Sequence, residues 1–190
     1  MPERPPPPPS GLTTDAFLRM RDLPRHAELI DGNLVFAAPP EKWHSRTINL
    51  LLAELDRQAP DGLRADREMA VRLARRQMPE PDVLVVTAEA YDREDPSTHY
   101  FADDLVLAVE VVSPDSEDRD RDTKPRKYAA AGIPHYWRVE KVNGQTVVYV
   151  YERDPATGGY GVAGIHRDRL KVAAPFDVDI DLTSAGRRVR

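Results

Sequence analysis

The stretch LVLAVEVVSPDS, Leu105 to Ser116, constrains this chain more than any other. A nearly unbroken Val/Leu run ended by Ser-Pro-Asp reads as a central β-strand buried on both faces. Within it stands Glu110. Taking an ionised carboxylate out of water costs several kcal/mol unless a cation or good hydrogen bonds compensate. Glu110 therefore either pairs with a basic residue, Arg72 or Lys124 being the candidates, or helps to hold a metal ion. A strand of this kind also demands layers on both sides of its sheet.

The flanking segments supply them. Thr13 or Thr14 should start a short helix with Asp15 in its first turn. In AELIDGNLVFAA two β-type runs meet at Asp31-Gly32, the strongest short-range signal for a hairpin. From Glu41 to Gln58, Ile48, Leu51, Leu52 and Leu55 recur at helical spacing, and Pro60 and Gly62 close the segment. The period then falls to two. REMAVRLARR, with Met69, Val71 and Leu73 alternating, predicts a half-buried strand, PDVLVV (Pro81 to Val86) a second, and LVLAVEVV a third. A helix over Thr123 to Ala131 should end at Gly132. HYWRVE, TVVYVYE and a segment near Leu170 to Ala173 complete the strands. This order predicts an α/β fold, a mixed β-sheet flanked by helices with an N-terminal β-hairpin.

Residues 11–185 are expected to form one domain behind a Pro-rich disordered tail at 1–10, where Pro5 to Pro9 favour a solvated polyproline conformation. Gly159 to Gly164, GYGVAG, matches the dinucleotide fingerprint, but no helical pattern follows it, so a hairpin loop is expected. At 190 residues and 41% hydrophobic the chain can bury one substantial core. It has no apolar run of membrane-spanning length. The absence of cysteine excludes disulfide and thiolate chemistry and suits a cytoplasmic enzyme. A net charge of −5 argues against a generic nucleic-acid coat, yet is compatible with an acidic metal site beside a locally basic surface. The five histidines lack metal-ligand spacing, which argues against zinc.

Asp82 opens the second strand and Glu110 lies near the end of the third. If those strands run antiparallel, the two carboxylates meet. Hard divalent cations such as magnesium, or manganese, bind oxygen clusters of this kind and leave room for water and a substrate phosphate. Asp120, Lys124 and Tyr128 follow at intervals of four, one face of a helix. A lysine beside such carboxylates can orient the attacking water and stabilise transition-state charge. Pro125, however, biases Lys124 away from helical geometry. On that ground Lys124 is expected near the helix cap, the shared face with Asp120 is weakened, and Lys127 becomes a rival for the catalytic role.

Together these pieces resemble the bacterial "putative restriction endonuclease" family within the PD-(D/E)XK nuclease superfamily. The matching segments are ELIDGNLV, HSRTINLLLAEL, PDVLVV, VEVVSPDS, the D-x-x-x-K-x-x-x-Y pattern of Asp120, Lys124 and Tyr128, and AGIPHYWRV. They span nearly everything from Leu12 to about Val150. The resemblance implies a restriction-endonuclease-like core and a metal-dependent DNA endonuclease. Asp82 takes the Asp position of the motif and Glu110 the (D/E) position. The superfamily lysine, two residues further on, would fall at Val112, so Lys124 is the matching position here. Glu28 and His44 are two more positions that stand out.

Each residue also has a plainer reading. Asp82 can be a turn residue, His44 a helix-flanking residue, and Glu28 one half of a cross-hairpin salt bridge. RDRDTKPRKY can be a solvated charged face, and Tyr136 and Trp137 core residues. Arg64, Arg67, Arg72, Arg75 and Arg76 are candidate phosphate contacts to DNA. A homodimer is expected, since one catalytic centre cuts one strand. The alternative function is a non-catalytic module that keeps the nuclease fold and binds nucleic acid or protein.

Overall fold

The computed structural model describes residues 11–186, and the expected proline-rich tail at 1–10 lies outside them. Thr13 caps the first helix, α1 (Thr14–Leu18), by accepting a hydrogen bond from the Ala16 amide. The hairpin follows as predicted, β1 (Ala27–Ile30) paired antiparallel with β2 (Asn33–Phe36). Asp31 and Gly32 turn it with φ of 52° and 79°, the left-handed values that tight hairpin turns require. Helix α2 (Lys42–Gln58) then buries Ile48, Leu51 and Leu55.

The remaining elements are β3 (Leu63–Arg67), β4 (Ala70–Arg72), β5 (Val83–Thr87), α3 (Ala88–Asp92), β6 (His99–Phe101), β7 (Leu105–Val111), α4 (Lys124–Ala130), β8 (His135–Val142), β9 (Gln145–Arg153), β10 (Tyr160–Arg167), β11 (Arg169–Val172) and β12 (Val178–Asp181). Six strands form one mixed sheet in the order β10-β9-β8-β7-β5-β3. Within this sheet β7 and β8 run parallel and the other neighbours antiparallel. A parallel pair cannot be joined by a tight turn, and here α4 makes the crossover.

Side-chain parity along the central strands sorts the core into two layers. Val83, Val85, Leu107, Val109 and Val111 face α2 and the β11–β12 ribbon. Leu84, Val86 and Ala108 face the other way, toward Tyr128 of α4 and Tyr136. Glu110 shares the parity of Ala108. The carboxylate in the apolar run is therefore directed at α4, and that fact positions the site.

Two expectations need adjustment. Of REMAVRLARR, read as a half-buried strand, only Ala70–Arg72 is a strand, and it lies outside the main sheet. Glu68 takes a left-handed φ of 52° and turns the chain out of it, so β4 pairs parallel with β6 in a separate ribbon. The strand beside β5 is instead β3. Finally, GYGVAG is not a loop. Most of it belongs to β10, which pairs with β9 along Tyr160–Arg167 and absorbs the extra residue Ala163 as a bulge. Among the described residues no helix is long and apolar enough to cross a membrane.

Candidate active site

Antiparallel pairing of β5 and β7 sets Val83 against Val109, so Asp82 and Glu110 stand next to each other at the strand ends. The backbone fixes Asp82 further. Its Oδ2 accepts a 2.7 Å hydrogen bond from the Val111 amide, and its Oδ1 lies 3.5 Å from His44 Nε2. His44, at the head of α2, is held above its ordinary pKa. Burial alone would lower it, and the Asp82 carboxylate, with help from the Val111 carbonyl, outweighs burial.

Glu110 meets α4 as its parity requires. Tyr128 donates its hydroxyl proton to Oε1 at 2.5 Å, and Lys124 Nζ lies 3.0 Å from Oε2. The same ammonium is 2.9 Å from Glu28 Oε1 and 3.4 Å from Asp120 Oδ1. Three carboxylates thus surround one buried lysine. Glu28 does not bridge its hairpin, as the plainer reading had it. β1 directs it inward, where it also accepts the Glu80 amide at 2.8 Å.

Lys124 is helical in spite of Pro125, with φ −63° and ψ −46°. Lys124 does open α4 beside its cap, with Pro125 in the first turn, as expected, but the expected weakening of its shared face with Asp120 is corrected. The physical reason is a π-helical turn over Arg119–Thr123, which runs directly into α4. Through it the Lys124 amide reaches back five residues to the Arg119 carbonyl. The Asp120 carbonyl would be next in that series, but its partner would be the nitrogen of Pro125, which has no hydrogen. Tyr136 fills the gap with a 2.6 Å hydrogen bond from its hydroxyl to the Asp120 carbonyl oxygen. Ser116 donates to the Asp120 carboxylate.

Electrostatics follow from this crowding. Burial pushes Glu110 well above the usual carboxylate range. Lys124 pulls it back only in part, and Asp120, Asp82 and Glu28 add to the rise. Burial and the neighbouring carboxylates raise Asp120 in the same direction. Burial opposes the charge of Lys124, yet the surrounding carboxylates win and hold its pKa well above normal. Lys124 is an ammonium.

These groups line a narrow pocket of about 80 Å³. Seven carboxylates face it, Glu28, Glu68, Glu80, Asp82, Glu110, Asp115 and Asp120, against two fixed cations, Lys124 and Arg119. The donors are oxygens, which suits a hard divalent cation. Among the described residues, no three Asp, Glu or His side chains are already gathered in a metal-binding arrangement. Lys124 stands between the acids that would have to converge.

The other expected residues lie elsewhere. Lys127 points away from the pocket and pairs with Asp31 Oδ1 at 2.5 Å. Arg72 pairs with Asp15 at 2.9 Å, and Arg76 donates to the Asp31 carbonyl, so both brace neighbouring segments of the fold. Arg75 is exposed and does not line the pocket. Arg64 donates to the Leu63 carbonyl, and Arg67 bonds Asn49. Tyr136 and Trp137 are fully buried, as the core reading expected. Tyr136, Ser116, Glu80 and Arg119 were not anticipated as part of the site. Ser116 and Tyr136 do fall within two of the family segments, VEVVSPDS and AGIPHYWRV, which is the one signal that could have found them.

A family model described as "Uma2: Putative restriction endonuclease" matches residues 14–183. Among solved structures, the chain is similar to a "putative nuclease belonging to DUF820" from Anabaena variabilis ATCC 29413. The TM-score is 0.66 at 17% sequence identity, covering 86% of this chain and 89% of that one. At that identity the likeness establishes the fold. No curated protein matches the chain.

Proposed function

Because this chain belongs to the Uma2 family of "putative restriction endonuclease" proteins, we propose that it is a metal-dependent DNA endonuclease hydrolysing phosphodiester bonds. Residues 11–185 act in this reading as one catalytic domain. One observation carries it: a pocket with seven carboxylates and a single buried lysine, at the end of strands that bring Asp82 beside Glu110. Asp82 and Glu110 are the ligands assigned to the metal, most simply magnesium, with manganese as a substitute. When bound, such an ion supplies Lewis-acid stabilisation of phosphate charge and lowers the pKa of water.

The chain's own residues set the geometry around that chemistry. Val111 N–H and His44 orient the Asp82 carboxylate, and Tyr128 orients that of Glu110. Lys124 is the cation that reaches Glu110, and its ammonium is suited to orient a water or to donate to a phosphate oxygen as charge grows on it. Glu28 and Asp120 hold that ammonium in place. Arg119, at the pocket wall 3.7 Å from Asp115, is a better candidate phosphate contact than Arg72 or Arg76, which are engaged elsewhere. Two copies of the chain would address both strands of a duplex, so we also propose a homodimer, to be checked by light scattering at micromolar concentration.

The test is conversion of supercoiled plasmid DNA to nicked or linear form with magnesium or manganese, beside Asp82→Ala. Cleavage by the wild type and its loss in the variant support the reading. The rival, a non-catalytic module that binds nucleic acid or protein, is favoured by the fact that Lys124 already occupies three carboxylates. Duplex binding without cleavage under any divalent ion would decide for it.

A further inference from the structure

The ammonium of Lys124 occupies the centre of the carboxylate cage, 2.9 Å from Glu28, 3.0 Å from Glu110 and 3.4 Å from Asp120. We propose that this ammonium and the divalent ion compete for the same carboxylates, so that Lys124 gates metal entry and must yield its contacts when a metal binds. The inference rests on the metal-nuclease reading above and adds a control to it.

Three features of the cage carry it. First, the number of donors matches. An ammonium has three hydrogens and no acceptor, and Lys124 donates to Glu110 of the central strand while lying within ion-pair distance of two more carboxylates, one from the hairpin and one from the π-helical turn. Second, the place is dry. Glu110 and Asp120 are nearly inaccessible to solvent and Lys124 is 4% exposed, so charges there are poorly screened. Third, Asp82 stands beside Glu110 without being one of the ammonium's partners within ion-pair distance. An incoming cation that engages Asp82 therefore arrives next to a fixed positive charge, and the two repel unless Lys124 withdraws.

The arrangement has a functional sense. A phosphodiester brings negative charge of its own and offers Lys124 a replacement partner. Metal and substrate should thus assist each other in binding, since each removes the obstacle that the other meets. Without substrate, the lysine keeps the cage closed and the protein only weakly loaded with metal.

The experiment is calorimetric titration of the full chain with manganese ion alone, comparing wild type, Lys124→Gln and Lys127→Gln. The expected result is that Lys124→Gln binds manganese about tenfold tighter or more, the effect of deleting a unit charge beside a divalent ion in a poorly solvated pocket. Lys127→Gln, outside the pocket, should bind as the wild type does. If Lys124→Gln fails to fold, Glu28→Gln with and without Lys124→Gln repeats the comparison with less repulsion among the acids, and the double variant should bind tighter than the single one. Equal or weaker binding on introducing Lys124→Gln, alone or into Glu28→Gln, overturns the gate and leaves the nuclease reading intact. No manganese binding by any of the proteins overturns both.

Discussion

The hydroxyl of Tyr136 is the most exacting test of how this site is built. It donates at 2.6 Å to the Asp120 carbonyl, and both residues are buried, at 0% and 1% exposure. That carbonyl has no alternative in the helix, because the Lys124 amide is committed to Arg119 and Pro125 carries no hydrogen. Tyr136→Phe keeps the ring and its contacts with Tyr128, Tyr151 and Tyr160 while stranding the carbonyl. An unsatisfied buried acceptor costs about 1–3 kcal/mol. For a chain of this length that is a fall in Tm of about 2–12 °C, at roughly 2–4 °C per kcal/mol. Thermal and urea melts measure it. Tyr160→Phe is the control. Its hydroxyl donates to the Ile133 carbonyl at 2.8 Å from a partly exposed position, where water can take its place, so it should cost less. The sharper arm is a double-mutant cycle. Pro125→Ala restores an amide that can reach the Asp120 carbonyl, and in that background Tyr136→Phe should lose about 1 kcal/mol of its cost. Equal cost in both backgrounds, or none in the wild type, refutes the account of the π-helical turn.

Glu110→Ala should abolish metal-dependent cleavage while the melt stays cooperative, and wild-type cleavage by this variant would remove Glu110 from the site. Lys127→Ala should leave cleavage unchanged and cost under about 1 kcal/mol in urea melts, because its pair with Asp31 is open to water. Glu80→Gln tests the pocket's charge excess through pH. Burial raises the pKa of Glu80 and the His26 interaction only partly offsets this, so the stability Glu80 contributes is present at acid pH and is lost as pH rises through its folded value. The amide should therefore raise Tm near about pH 8, with the gain fading toward about pH 4, and a gain independent of pH would contradict the assignment.

Much of this was legible in the chain. The run LVLAVEVV announced a doubly buried strand with a carboxylate inside it, though the face that carboxylate takes appears only in the structure. The spacing of Asp120, Lys124 and Tyr128 announced one helical face, and the structure has it. What the chain concealed is where a local rule loses to tertiary structure. The bias of Pro125 against a helical Lys124 is real, but a π-helical turn and the distant Tyr136 hydroxyl compensate for it. No spacing rule reports a carbonyl rescued from sixteen residues away. Glu28 stood out through the family resemblance, but its spacing showed only a hairpin residue, because what directs it inward is the packing of β1 against Met78, where Leu29 and Met78 exchange backbone hydrogen bonds. The glycines of GYGVAG concealed β10, since low strand propensity says little when the exposed edge of β9 is waiting to be paired.

The pocket's composition separates a structural role from a chemical one. A buried one-to-one ion pair is close to neutral for stability, and hydrophobic residues of similar volume often do as well. If Lys124 served only to neutralise Glu110, a single acid would suffice. Here it meets Glu28 and Asp120 as well, and Asp82 waits beside them with His44 as its neighbour. The rise in the pKa of both Glu110 and Asp120, despite the ammonium between them, means that one lysine does not balance the cluster. The remaining negative charge can be relieved by protons or by a further cation. In the function proposed above that further cation is a divalent metal, and the oxygen donors suit a hard one. Under the proposed function, the imbalance that makes this corner of the fold costly is what would draw in a metal and free the lysine for a phosphate.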